Sequence, residues 1–200
     1  MDFLPTPEQD MLRKAVARLA GSFGHPYFQA KAASGDKQDE LWHELAAAGY
    51  LGVHLPEAYG GGSMGISELA IVTEEVAAAG CPLLLLLVSP AICGTLIAKF
   101  GDDDQRERWL PPLASGSQKM AFAITEPDAG SNTHNISTAA RRDGGEWRLS
   151  GTKYYISGVD EAAQVLVVAR TASEEATGDA RLSLFVVDTD SPGLDRVHIP

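Results

Sequence analysis

The residues with the most chemical content run from Ala121 to Asn132, Ala-Phe-Ala-Ile-Thr-Glu-Pro-Asp-Ala-Gly-Ser-Asn. A short apolar run leads there into a turn rich in Gly, Ser and open backbone. Gly130 lets the main chain approach a ligand closely, and Ser131 offers a hydroxyl beside a backbone donor. Such a loop suits a phosphate-bearing cofactor. An ordinary polar turn uses the same residue types, so this stretch alone leaves both readings open.

Other patterns invite chemistry less strongly. Gly60-Gly61-Gly62-Ser63-Met64-Gly65 matches G-x-G-x-x-G ahead of a helical pattern, as at a phosphate-binding helix start. Pro56 argues against a central strand before it, and helix follows helix rather than a βαβ unit. A plain Gly-rich corner is expected. Ser150-Gly151-Thr152-Lys153 matches S-x-x-K, but that nucleophile needs Ser and Lys one helical turn apart, and this stretch is hairpin-like. His25, His43, His54, His134 and His198 are scattered with no close His or Cys partner, so no metal site is expected. Of these, His134 lies near the 121–132 turn. Cys81 and Cys93 sit in apolar sequence and read as small buried hydrophobes in a reducing compartment.

The elements that must position these residues change character near residues 116–120. Before that boundary the chain reads as helical. Thr6-Pro7-Glu8-Gln9 is a helix start with a capping box, and Leu12, Val16, Leu19 and Phe23 form one face. Gly24 and Pro26 are expected to end that helix. A second helix is predicted over 39–48 with Leu41, Trp42 and Leu45 inward and Gly49 as its stop, and a third over 67–79. An apolar helix follows to about Gly101. Asp102, Asp103 and Asp104 open another helix, where their charge meets the dipole, and Pro111-Pro112 should close it. After Met120, β-type segments are predicted at 121–124, 137–142, 147–150, 154–157, 165–170 and 182–188, with Asp143-Gly144-Gly145 as a turn. Residues 172–180 read as a loop. The fold class is α+β: a helical domain over 1–118, then a strand domain over 119–200.

The 200 residues are 44% hydrophobic and 22% charged, enough apolar content for a real core. The net charge of −11 is spread over both parts without a basic stripe, which disfavours nucleic acid and anionic membrane surfaces. The 23 residues between Glu75 and Lys99 carry no formal charge and are long enough to cross a bilayer. Gly80, Pro82, Pro90 and Gly94 and the missing aromatic belts favour a buried core helix instead. MDFLPTPEQD has no basic region followed by an apolar core, so no secretory signal is expected and a cytoplasmic location is.

Four ordered motifs resemble the N-terminal and middle parts of the acyl-CoA dehydrogenases. Gly49 to Val53 and Pro56 to Gly61 resemble a corner of that family. Phe100-Gly101, 105–110 and 113–116 resemble its helix before the barrel. Residues 122–131 resemble its flavin motif, and 149–157 its Gly-x-Lys-x-x-Ile segment. The resemblance implies an all-α domain followed by an incomplete antiparallel β-barrel, with a C-terminal helical domain absent. It implies FAD as cofactor, with Phe122, Ile124 and Thr125 lining the ring and Thr125 bonding its polar edge. Gly130 and Ser131 would contact the pyrophosphate, Ser131 also approaching the substrate. Tyr155, Ile156 and Ser157 would cover the other side of the ring, and Leu84, Leu85 and Val88 would wall the acyl cavity.

The implied reaction is oxidation of an acyl-CoA to the 2-enoyl-CoA, in fatty acid metabolism. An electron-transfer flavoprotein or similar acceptor would be the partner, within a homo- or hetero-oligomer. No catalytic base is assigned in this chain, and Glu126 is read as part of a structural turn. The fragment alone is therefore expected to be inactive. The same architecture serves flavin monooxygenases and nitroalkane oxidases, and a non-catalytic subunit needing a partner chain is a further alternative. Asp128, Asn132, Tyr155, Ser157 and Gly158 stand where the family often has Gly, Asp, Trp, Thr and Asn. Tyr155 and Ser157 keep the aromatic face and the hydroxyl, while Asp128 adds negative charge near the expected pyrophosphate.

Overall fold

The computed structural model describes residues 4–171 and 181–199. It divides into two compact units, one ending at Lys119 and the other beginning at Met120. The expected loop at 172–180 lies outside the described residues.

The first unit is helical. Helix α1 (Pro7–Gly21) starts with the expected capping box. The Thr6 side chain accepts from the Gln9 amide, and the Gln9 side chain accepts from the Thr6 amide. Val16 and Ala20 are buried, with Leu12, Leu19 and Phe23 packed beside them. The expected break at Gly24 and Pro26 is instead the start of a second helix, α2 (Gly24–Ser34). Gly24, at φ +72°, redirects the chain. Pro26 then occupies a first-turn position, where no N–H donor is needed.

Helix α3 (Asp39–Ala47) buries Leu41, Trp42 and Leu45, and α4 (Ile66–Ala78) buries Leu69, Ile71, Val72 and Val76. Apart from Ile71, these side chains form the helical core with Leu51, Val53, Cys81 and Leu86. The apolar segment is not one helix. It begins as α5 (Leu84–Leu86), continues as a π-helix over Leu87–Gly94 and ends as α6 (Thr95–Phe100). Pro90 sits inside the π stretch. A proline ring clashes with the carbonyl four residues back in a regular α-helix, and the wider turn relieves that clash. His54 Nε2 meets the Pro90 carbonyl at 2.9 Å.

Helix α7 (Asp103–Ala114) has an Asp102–Gln105 capping box. Pro111 and Pro112 do not close it; both lie within its last turn. Two N–H donors are forfeited there, but buried Leu110, Leu113 and Ala114 hold the turn by packing, the usual source of helix stability in proteins.

The Gly60–Gly65 corner folds back on residues 52–56. The amides of Gly61, Gly62, Ser63 and Met64 donate to the carbonyls of Pro56, Gly52, Leu55 and Val53. Donors already used in this way cannot cradle a phosphate, in line with the plain-corner reading. A Cβ on Gly61 would lie 2.1 Å from the Leu55 carbonyl oxygen. Gly61→Ala should therefore destabilise the chain by about 1–3 kcal/mol through overpacking, read as a lower urea midpoint. An unchanged midpoint would show that the corner can move aside.

Among its described residues the second unit forms a five-stranded sheet. Strands β1 (Met120–Ala123) and β4 (Gln164–Thr171) pair in parallel, and β5 (Arg181–Asp188) runs antiparallel along all of β4. Strands β2 (Ala139–Asp143) and β3 (Glu146–Ser150) form a hairpin around Gly144-Gly145. At Ala139 and Ala140, β2 also pairs in parallel with the end of β4. The sheet is therefore mixed rather than purely antiparallel. The excursion between β1 and β4 is long enough to bring the chain back in the same direction. The predicted strand at 154–157 is irregular. Tyr155 adopts φ +57°, a left-handed conformation that an extended strand cannot contain.

Among the described residues no helix is long and apolar enough to cross a membrane.

Candidate functional site

Strand β1 delivers the chain into the turn that carries Ile124, Thr125, Gly130 and Ser131. The Glu126 amide donates to the Ala129 carbonyl at 3.0 Å, and the Ala129 amide returns to the Glu126 carbonyl at 3.2 Å. This closes the turn and leaves Gly130 and Ser131 exposed beyond it. A Cβ built on Gly130 meets nothing within 4 Å, so the main chain there borders open space. Asn132 then caps a 3-10 turn, Thr133–Asn135, by accepting from the His134 amide.

The loop is held at its base by charged side chains. The Glu126 carboxylate accepts from the Ser137 amide at 2.6 Å, the Ser137 hydroxyl at 2.7 Å and the Thr138 amide at 3.0 Å. Arg170, on β4, donates to the carbonyls of His134 and Ile136. Lys153 Nζ lies 2.8 Å from Glu126 Oε1 and donates to the Ile124 carbonyl at 3.0 Å. The Glu126 and Lys153 side chains are 2% and 10% exposed. Burial pushes the Glu126 carboxyl upward, but the hydrogen bonds from Lys153, Thr138 and Ser137 outweigh it and hold the group well below the carboxylate range. A carboxylate this fully engaged cannot reach a substrate proton. That agrees with reading Glu126 as structural.

These contacts bring two distant segments together. The Tyr154 amide donates to the Thr125 carbonyl at 2.9 Å, so the end of β1 and residues 153–157 run side by side. Tyr155 is 72% exposed, with its ring edge-on to that of Tyr154 at 5.3 Å. Thr125 is half-buried, and Ser131 and Ser157 are exposed. The other side chains diverge. Phe122 and Ile124 pack with Ala129, Ile136 and Val168. Ile156 packs with Ala121, Ala123 and Val165, against the opposite face of β1.

The expected acyl-wall residues belong to the helical unit. Leu85 is buried in the helical core, Val88 is half-buried against it, and Leu84 is 58% exposed. Both cysteines are buried, and burial pushes the Cys93 thiol up to about 12. Neither is poised as a nucleophile. Among the described residues no group of three or more His, Cys, Asp or Glu could hold a metal ion.

The sequence reading assigned no role to Lys153 or Arg170. The available signal was that a carboxylate bound for a buried turn needs a cation, and Lys153 lies inside a half-apolar stretch.

Comparison with known proteins decides the family. A family model described as acyl-CoA dehydrogenase, N-terminal domain, matches residues 6–117, and one described as acyl-CoA dehydrogenase, middle domain, matches 121–199. The chain belongs to the acyl-CoA dehydrogenase family. It is 58% identical over 98% of its length to the acyl-CoA dehydrogenase FadE12 of Mycobacterium tuberculosis and covers 50% of that protein. Among solved structures it resembles a glutaryl-coenzyme A dehydrogenase in complex with glutaryl-CoA. The TM-score is 0.86 and the identity 31%, over 94% of this chain and 48% of that one. A glutaryl-CoA dehydrogenase of Mycobacterium smegmatis in complex with FADH2 gives a TM-score of 0.84 at 29% identity, over 94% of this chain and 47% of that one. The chain thus spans about half the length of the relatives it matches. The N-terminal-domain match lies within the first compact unit and the middle-domain match within the second.

Proposed function

We propose that this chain forms part of a flavoprotein that oxidises acyl-CoA thioesters to 2-enoyl-CoAs, with FAD held on the open side of the 124–131 turn and the 154–157 segment. The observation that carries this reading is the juxtaposition of those two segments, joined by the Tyr154–Thr125 and Lys153–Ile124 hydrogen bonds. The residues present fit the group. Gly130 leaves open space beside the main chain, and Ser131 adds a hydroxyl and an amide suited to a pyrophosphate. Tyr155 presents an exposed aromatic face suited to a flat ring.

Bound FAD supplies the hydride acceptor that side chains lack. Thr125 bonds its polar edge, Gly130 and Ser131 hold the pyrophosphate, and Tyr155 and Ser157 cover the ring. Phe122 and Ile124 support the ring from the end of β1. Ile156, packed into the sheet core, contributes its main chain. Leu84, Leu85 and Val88 of the helical unit are proposed as the wall of the acyl cavity. The proton next to the thioester carbonyl must leave to a carboxylate base, and Glu126 is excluded from that role by its four donors. An electron-transfer flavoprotein or similar acceptor and assembly into an oligomer complete the proposal.

The test is a titration with FAD followed by quenching of flavin fluorescence. Saturable binding is expected, and Ser131→Asp should weaken it about tenfold by placing charge against the pyrophosphate. Asp128→Asn should tighten it in low salt for the converse reason. Saturated acyl-CoAs of graded chain length, added without oxygen to the whole flavin-loaded flavoprotein of which this chain is part, should bleach the visible flavin band. No response at any chain length would refute the dehydrogenase reading.

A further inference from the structure

Glu126, which is buried, and Lys153, whose side chain is 10% exposed, are oppositely charged and separated by 27 residues in sequence. Between them they organise both segments of the proposed flavin site. Three consecutive residues on one side, Ile124, Thr125 and Glu126, meet two consecutive residues on the other, Lys153 and Tyr154. The contacts are 3.0 Å from Lys153 Nζ to the Ile124 carbonyl, 2.9 Å from the Tyr154 amide to the Thr125 carbonyl and 2.8 Å from Lys153 Nζ to Glu126. The positions of Thr125 and Tyr155 are thus set by these contacts.

Tyr155 strengthens the argument. A non-glycine residue at φ +57° is strained and persists only where its surroundings over-determine it. Its side chain is largely in solvent, so packing of that ring does not impose the conformation. The anchors on either side do: the Tyr154 amide bonded to Thr125, and Ile156 packed among Ala121, Ala123 and Val165. A buried ion pair is also a weak source of net stability compared with apolar residues of equal volume. Its presence here suits the setting of a geometry better than the adding of stability.

We propose that Lys153 is a positioning residue for the flavin: through Glu126 and the Ile124 carbonyl it sets the separation of the 124–131 turn and the 154–157 segment. The inference rests on the flavin reading above. It gives the lysine of the S-x-x-K match a role that needs no serine nucleophile.

Three chains test it: wild type, Lys153→Met, and the double variant Glu126→Gln with Lys153→Met. FAD affinity is read by fluorescence titration, thermal stability by circular dichroism, and local opening by amide hydrogen exchange. Lys153→Met should speed exchange in peptides covering 124–131 and 153–157 while leaving 181–188 unchanged. It should also raise the Kd for FAD about tenfold or more, as expected for losing a charged hydrogen bond. The double variant leaves no buried charge unpaired. It should regain thermal stability without regaining FAD affinity, and it carries the test if Lys153→Met alone fails to fold. A double variant that regains both overturns the proposal, because the pair then only stabilises. Wild-type FAD affinity in both variants overturns it as well. Absence of FAD binding by the wild type overturns the flavin reading and this proposal together, whereas the previous outcomes overturn this proposal alone.

Discussion

Glu126→Ala should lower the stability of the strand unit by about 3–5 kcal/mol, the cost of removing one partner of a buried ion pair. That is a large share of the roughly 5–15 kcal/mol that holds a typical domain together. The loss has two physical parts. Lys153, at 10% side-chain exposure, loses the carboxylate that pairs with it, and the amides of Ser137 and Thr138 lose the oxygens that accept from them. Urea unfolding of the whole chain measures the effect, and a loss below about 1 kcal/mol would mean that water reaches the site. The pH dependence gives a second measurement. The Glu126 carboxyl is held below its ordinary value of 4.5 in the folded chain. Its contribution is therefore fully present above that value and is lost as pH falls toward the folded pKa. Wild type should weaken steadily below pH 4.5, and Glu126→Ala should lack that part of the slope.

Trp42→Ala should have a comparable effect on the helical unit, about 3–5 kcal/mol. Trp42 is 2% exposed. Its Nε1–H donates to the Gly116 carbonyl at 2.9 Å. Lys119 lies over its ring at 4.9 Å while pairing with Asp39 at 2.9 Å. Truncation removes a large volume and leaves the Gly116 carbonyl without its indole donor. The melting temperature should fall by more than about 10 °C, given the usual relation between stability and Tm for small domains. Trp42→Phe should retain most of the volume and lose about 1 kcal/mol, isolating the hydrogen bond. Equal losses in the two variants would show that packing around the ring is unimportant.

Features set by neighbours in sequence were legible. The capping box at Thr6 and Gln9, the inward Leu41, Trp42 and Leu45, and the Gly144-Gly145 turn each depend on a few adjacent residues. Local signals misled where packing decided the outcome. Gly24 and Pro26 look like a stop and begin a helix; Pro111 and Pro112 look like a stop and lie within one. The π-helix around Pro90 could not be read from apolar content, which is the same for any helix. The parallel pairing of β1 with β4 depends on a return path that composition does not encode. In the candidate site, the motif pointed to the 124–131 turn and to 154–157 as partners. It did not expose the divergence of Phe122 and Ile156 to opposite faces of β1, because that follows from side-chain alternation around an irregular segment.

The wiring of the 126–138 loop also bears on synthesis. Glu126 leaves the ribosome 27 residues before Lys153, and the His134 carbonyl leaves 36 residues before Arg170. At about 5–20 residues per second, these intervals last on the order of seconds. During that time the nascent loop has its acceptors but not its cations, while the helical unit's chain is already complete. The motif at its centre therefore takes shape only after the strand that carries Arg170 has been made.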